Sequence, residues 1–297
     1  IEMKQDFLRF KFVCLNEDFE LSIKILEDII KNSTFEEFEK EKNKLQGELI
    51  ANLDSARVKA LDNYYKTLYE NHFYGHTYTS ILENLDKITK EDIITAYKNI
   101  FENSRKVISF VGDIDFETVK NTIENAFSDM PACETATKSF EKPKLENKKS
   151  VEIIKEDAQQ AQIFQGWIFP TFDNEDYPAI VLLNVILGSA GLSSRLFLEL
   201  REKKGLAYTV RSSYETNEQC ASFNIYMATE PKNLQTCLDG FMVEINKLKE
   251  IEVSETELKN AVNNLFDVED GETVTLSFSA RALTEARLRT VTMIRAR

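Results

Sequence analysis

Apolar residues near the start of the chain fall first at every second position and then at every third or fourth. "FLRFKFVCL" (residues 7–15) alternates and reads as a strand. "EDFELSIKILEDIIKN" follows as an amphipathic helix, with Leu21, Ile25, Leu26 and Ile29 on one face. A long helical stretch then runs over residues 33–70, and Thr34 and Glu37 have capping-box spacing at its start. "HFYGH" (72–76) breaks it, with Gly75 inside. "TKEDIITAYKNIF" predicts a shorter helix from near Thr89, and "RKVISFVGDID" a strand ending in a turn. "DFETVKNTIENAFSDMP" predicts a helix stopped by Pro131.

Residues 132–150 are polar, lysine-rich and aperiodic, which reads as an interdomain linker. Beyond it "SVEIIKE" and "AQIFQGWIF" read as strands and "YPAIVLLNVILG" as a helix. "SAGLSSRLFLELREKKGLAYTVRSSYET" reads as a turn, a helix ending at Gly205, and a strand. "CASFNIYMAT" is a further strand and "NLQTCLDGFMVEINKLKE" a further helix. A weak repeat is visible. Strand, amphipathic helix, break and capping box occur as FKFVCL, the helix through Ile29 and "TFEE". They recur as FNIYMAT, the helix through Leu248 and "SETE". With no strict βαβ alternation and no G-x-G-x-x-G, the expected fold is α+β, two duplicated domains rather than a doubly wound sheet.

The last thirty or so residues differ from the rest. Arginine occurs at 281, 287, 289, 295 and 297, lysine is not seen after Lys259, and periodicity disappears. Residues 267–297 are therefore expected to be a frameshifted or artificial Arg-rich tail without function, in preference to a basic tail.

Composition mainly removes options. The 297 residues carry a net charge of −13, which argues against nucleic acid and against an anionic membrane as partners. Four dispersed cysteines (Cys14, Cys133, Cys220, Cys237) form no C-x-x-C pair, as expected in a reducing, cytoplasmic setting. No apolar run is long enough to span a bilayer. The chain begins with Ile1, so the lack of a signal peptide decides nothing.

Three constellations are candidates for chemistry. Glu41 and Glu48 stand seven apart, which puts both carboxylates on one helix face. Such a carboxylate suits a zinc site, but from spacing alone a solvated acidic helix face is the better reading. His72 and His76 are the only histidines and stand four apart, yet no glutamate lies beside them, and Gly75 disfavours a helix there. A structured turn with packed rings is the better reading. "LREKKGLAYTV" places Arg201 near a helix end and Tyr208 at a strand start. Both can donate to a substrate carbonyl, or be a surface Arg and a half-buried strand Tyr. "SAGLSSRL" has no Lys after its last Gly, so it is a turn and not a P-loop.

"SSRLFLELREKKGLAYTV", with "DYPAIVLLNVILG" ahead of it, resembles the second domain of the pitrilysin/insulinase family. These are the inverted zinc metallopeptidases, the mitochondrial processing peptidase among them. "FEKEKNKLQGELIANLDS", "HFYGHTY" and "VISFVGDIDFETVKNTIENAFSDMP" resemble the later part of that family's first domain. The resemblance runs in order over roughly residues 5–266.

It implies two homologous α+β domains, each an antiparallel sheet with helices packed on one face. Residues 1–131 would be the C-terminal part of the first, truncated at its start, 132–150 the linker, and 151–266 a truncated second domain. It implies zinc as cofactor in the complete protein, held by two histidines of H-x-x-E-H and a later glutamate. Glu48 matches that glutamate, and Glu41 a supporting acidic position. Arg201 and Tyr208 match a pair that orients the scissile carbonyl and stabilises the oxyanion. "HFYGH" matches a turn, and H-x-x-E-H itself is absent from these residues. The implied function is a zinc-dependent metalloendopeptidase acting on peptides or unfolded polypeptide added to a sheet edge. The present chain, expected to be a fragment with an exposed sheet edge, would be inactive alone. The alternative is a non-catalytic subunit lending Arg201 and Tyr208 to a zinc-bearing partner, as part of a homodimer or heterodimer.

Overall fold

The computed structural model describes residues 1–131, 141–143, 159–266, 275–276 and 291–292. Most of the expected linker at 132–150, the "SVEIIKE" strand and nearly all of the Arg-rich tail lie outside the described residues. The chain divides into two compact units. One comprises residues 1–51 and 78–141, the other 52–77 and 142–297.

The first unit is mainly helical. Its helices are α1 (Phe19–Lys31), α2 (Phe38–Asp54, whose last residues belong to the second unit), α4 (Tyr78–Asn84), α5 (Lys90–Asn103) and α6 (Phe116–Phe127). The Thr89 hydroxyl accepts from Asp92 N–H at the start of α5, and the Asp92 carboxylate accepts from Thr89 N–H in return. Asp115 caps α6 in the same way, accepting from Thr118 N–H at 2.9 Å. Of the strand expected at 7–15, only β2 (Leu8–Arg9) forms, paired antiparallel with β1 (Glu2–Met3). The strand expected at 105–115 does not form. Alternation records which way side chains point, whereas a strand exists only with a ladder partner. These two segments are not paired with each other, and Val107 and Val111 stand 72% and 99% exposed.

The capping box expected at Thr34 and Glu37 is also not formed. Phe35 takes a left-handed φ of 54°, α2 starts at Phe38, and Glu37 pairs instead with Lys40 at 2.6 Å. The long helix is two. Ser55, in an extended conformation, ends α2 and caps α3 (Ala56–Leu68) by accepting from Val58 N–H.

The second unit is built on a three-stranded antiparallel sheet, β3 (Ala161–Phe169), β4 (Ala207–Thr216) and β5 (Ala221–Thr229), in the order β3-β5-β4. Every residue of β5 is buried. Phe223, Ile225 and Met227 point into the main core with α7 (Tyr177–Asn184), α8 (Leu234–Glu250) and α9 (Glu255–Phe266). The alternate residues face α3: Tyr64 hydrogen-bonds Ser222 at 3.0 Å and stacks on Phe164. Burying both faces of the central strand explains why "FNIYMAT" carries almost no polar alternation.

A tyrosine cluster lies under α3. Tyr65 and Tyr69 stack, and Tyr69 meets Tyr74 edge to face. Burial pushes the phenols of Tyr64, Tyr65 and Tyr69 well above their ordinary range, and that of Tyr214 to about 12. A phenol raised in the folded state keeps its contribution to stability below its unfolded value, about 10, and loses it as pH rises through the folded value. The urea midpoint is therefore expected to hold up to about pH 9.5 and to fall steeply by pH 11. A midpoint unchanged between those pH values would contradict the burial of the phenols.

Candidate functional site

Arg201 and Tyr208 are brought together by two local departures from regular structure. Phe197–Glu202 is a single wide π-helical turn, with Lys203 N–H donating to Leu198 O at 3.0 Å. Leu196 and Leu200, 0% and 1% exposed, anchor that turn in the core and leave Arg201 at the rim. Gly205 then reverses the chain at φ +62°, a conformation that suits a residue without a Cβ. Its N–H donates to Arg201 O, and Leu206 N–H to Leu200 O.

The strand that follows is irregular at its second residue. Ala207 pairs with Thr229 and Thr209 with Ala228, so Tyr208 is the extra residue of a β-bulge. A bulge re-aims a side chain out of the ladder, and Tyr208 is 78% exposed. The Arg201 guanidinium carbon lies 4.9 Å from the Tyr208 ring centroid and 4.5 Å from that of Phe197.

Among the described residues neither side chain makes a hydrogen bond. The one ionic neighbour of Arg201 among the described residues is Glu202, at 3.9 Å, beyond hydrogen-bond reach. The nearby charges are otherwise occupied. Arg195 makes a two-pronged contact to Glu257, 2.7 Å on each arm, and Lys203 binds Glu199 at 2.5 Å. Lys203 also holds the Glu199 carboxyl below its usual range. The Arg201 guanidinium thus lies over the Tyr208 ring, and both groups are hydrogen-bond donors.

Each of the other sequence candidates has its own local setting. Glu41 and Glu48 are both exposed on α2, and Glu41 lies 3.6 Å from Lys44. His72 caps a short 3-10 turn, Phe73–Gly75. Its Nδ1 accepts from Tyr74 N–H at 3.2 Å and its Nε2 lies 3.3 Å from Gln219 Oε1, which assigns the proton to Nε2. Gly75 is required there, since a Cβ would meet Tyr69 O at 2.6 Å. The four-residue histidine spacing is thus a turn. Among the described residues no group of three or more His, Cys, Asp or Glu is arranged to hold a metal. Zinc does not fit the described residues by themselves.

A groove of about 990 Å³ in the first unit is lined by Phe7, Phe10, Phe19 and Phe101, among others, and contains none of the candidate site residues. Sequence reasoning missed Phe197. Its signal was the four-residue spacing to Arg201, where two side chains share a helix face.

The model of the peptidase M16 inactive domain matches residues 87–265. An uncharacterized zinc protease of Rickettsia felis is 28% identical over 253 residues, 84% of this chain and 60% of that relative's length. A protein of Helicobacter pylori named a non-peptidase homolog is 29% identical over 145 residues, 47% of this chain and 32% of its own. Among solved structures, a peptidase M16 inactive domain from Pseudomonas fluorescens superposes with a TM-score of 0.74 at 23% identity. It is matched over 86% of this chain and 62% of its own, and carries the fold alone. No helix among the described residues is long and apolar enough to cross a membrane.

Proposed function

We propose, because the chain belongs to the peptidase M16 family through its inactive domain, that it is the substrate-gripping part of a zinc-dependent metalloendopeptidase. The observation that carries this reading is the pairing of Arg201 with Tyr208 across a π turn and a β-bulge. Local irregularities of this kind cost stability and are concentrated at functional sites.

In this reading the substrate is an extended peptide. The Arg201 guanidinium and the Tyr208 hydroxyl donate to the scissile carbonyl oxygen. Both bonds strengthen as that oxygen gains negative charge, which is the condition for lowering the barrier and not merely for binding. The zinc, when bound, supplies the activated water. Its histidine ligands and general base would have to come from outside these 297 residues, which contain no H-x-x-E-H. Glu48 is its one proposed ligand here, with Glu41 supporting. The proposal includes a cytoplasmic location and a homodimeric or heterodimeric assembly.

A second reading is kept by the same missing motif and by the relative named a non-peptidase homolog. In it the chain is a non-catalytic subunit that lends Arg201 and Tyr208 to a zinc-bearing partner.

The test compares two variants of the zinc-bearing protein. Tyr208→Phe is expected to lower turnover of a quenched fluorescent peptide about 10²-fold with zinc content unchanged, since one donor to the developing oxyanion is lost. Glu48→Gln is expected to lose zinc to a chelator that the parent protein withstands. Full zinc retention in Glu48→Gln removes it from the ligand set, and unchanged turnover in Tyr208→Phe removes the phenol from the site.

A further inference from the structure

We propose that Phe197 is a positioning residue for Arg201, its ring holding the guanidinium against Tyr208 so that both donors meet one carbonyl oxygen. The inference rests on the reading of Arg201 and Tyr208 given above. Three observations carry it. The guanidinium carbon is closer to the Phe197 ring, at 4.5 Å, than to any other ring it contacts. Phe197 is buried, 7% exposed, on the same turn as Leu196 and Leu200, and among the described residues it is outside the main apolar cluster that holds those two leucines. No carboxylate among the described residues holds Arg201 within hydrogen-bond distance.

The chemistry follows from the shape of the group. A guanidinium is planar, attracts aromatic rings at its faces and donates hydrogen bonds only along its edge. Rings at its faces fix its plane and leave the edge for an acceptor. A carboxylate partner would fix it as well, and would consume the same edge. The π turn contributes the register, placing residues 197 and 201 on one side of a widened turn. Phe197 touches neither substrate nor reacting atoms in this scheme. It acts through Arg201.

Two readouts on the 297-residue chain test this. The first is the Arg201 Nε–Hε signal in arginine-labelled NMR spectra, which aromatic rings stacked on the guanidinium displace upfield. The second is the Kd of a fluorescein-labelled β-casein decapeptide, read by anisotropy. Phe197→Met keeps the bulk and removes the aromatic face, whereas Phe197→Tyr keeps the face. In Phe197→Met the Hε signal is expected to move downfield and Kd to rise about fivefold, the factor that corresponds to one cation–π contact of about 1 kcal/mol. The rise should vanish in an Arg201→Ala background, and Phe197→Tyr should behave as the parent protein. Should Phe197→Met lose its folded spectrum, Phe197→Leu carries the same two readouts.

An unmoved Hε signal overturns the inference. So does a Kd rise of equal size with and without Arg201, which would make Phe197 a packing residue. A parent chain that ignores the peptide, or an Arg201→Ala chain that binds it equally well, instead overturns the gripping role of Arg201. The NMR readout then decides the positioning role alone.

Discussion

Arg201→Ala is expected to lower kcat/KM for a peptide substrate about 10²–10³-fold in the zinc-bearing protein, with the unfolding midpoint nearly unchanged. The size follows from removing a preorganised donor to a developing oxyanion in a site that it shares with one other donor. The small effect on stability follows from what Arg201 touches. Its side chain rests on two rings and among the described residues comes no closer than 3.9 Å to a carboxylate, and the buried anchors of its turn are Leu196 and Leu200. Arg201→Lys is not expected to restore activity, because an ammonium is a point charge without the planar edge. Steady-state kinetics beside urea unfolding separate the two effects. A loss below about threefold would take Arg201 out of the mechanism, since a lost donor of this kind costs far more.

Gly188→Ala is expected to destabilise the second unit by about 3 kcal/mol, at the upper end of what overpacking costs. Gly188 lies in a π turn, Val185–Ser189, that continues α7 and passes against β4. A Cβ at this position would stand 2.2 Å from the backbone nitrogen of Ser212 and 2.6 Å from its hydroxyl. Backbone cannot swing aside as a flexible side chain does, so the turn or the strand must move. Ser212 itself is held by Asn184, with its hydroxyl 2.7 Å from the Asn184 side-chain oxygen. The contrast is Gly47 in α2, where a Cβ meets nothing within 4 Å. Gly47→Ala is expected to stabilise by about 0.5–1 kcal/mol through helix propensity alone. Urea midpoints of the two variants should therefore shift in opposite directions. A Gly188→Ala midpoint equal to the parent's would show that the turn does not approach β4 as closely as described.

The second unit was legible in the sequence where burial imposed a period. "AQIFQGWIF" forms β3 over the same nine residues, and "NLQTCLDGFMVEINKLKE" forms α8 from its second residue. The α+β class and the antiparallel pairing follow from those elements. "HFYGH" read as a turn because Gly75 disfavours a helix, and the ring packing around His72 agrees. Less was legible where structure depends on partners. The segments 7–15 and 105–115 alternate as strands do, yet β2 is all that pairs. The break at Ser55 carried its own signal, a serine three residues ahead of Val58, hidden within a long run of helix formers.

The candidate site divides the same way. Sequence spacing named Arg201 and Tyr208, but not what joins them. A π turn and a bulge each depend on how the turn packs against α9 and the sheet, and neither has a residue code of its own. The side chain of Glu257 shows this packing directly. The spacing of "SETE" suggested a capping box, and Ser254 does accept from Glu257 N–H at 3.2 Å. The Glu257 carboxylate, however, goes to Arg195 ahead of the π turn and ties α9 to it.

The most direct test of the central claim is peptide hydrolysis by the protein purified from its native source, with bound zinc measured on the same sample. The expected result is cleavage of a quenched peptide that a chelator abolishes and added zinc restores, with about one zinc per chain pair or per full-length protein. A preparation that holds its zinc and still fails to cleave peptides would contradict the claim. So would one that cleaves equally well after the metal has been removed.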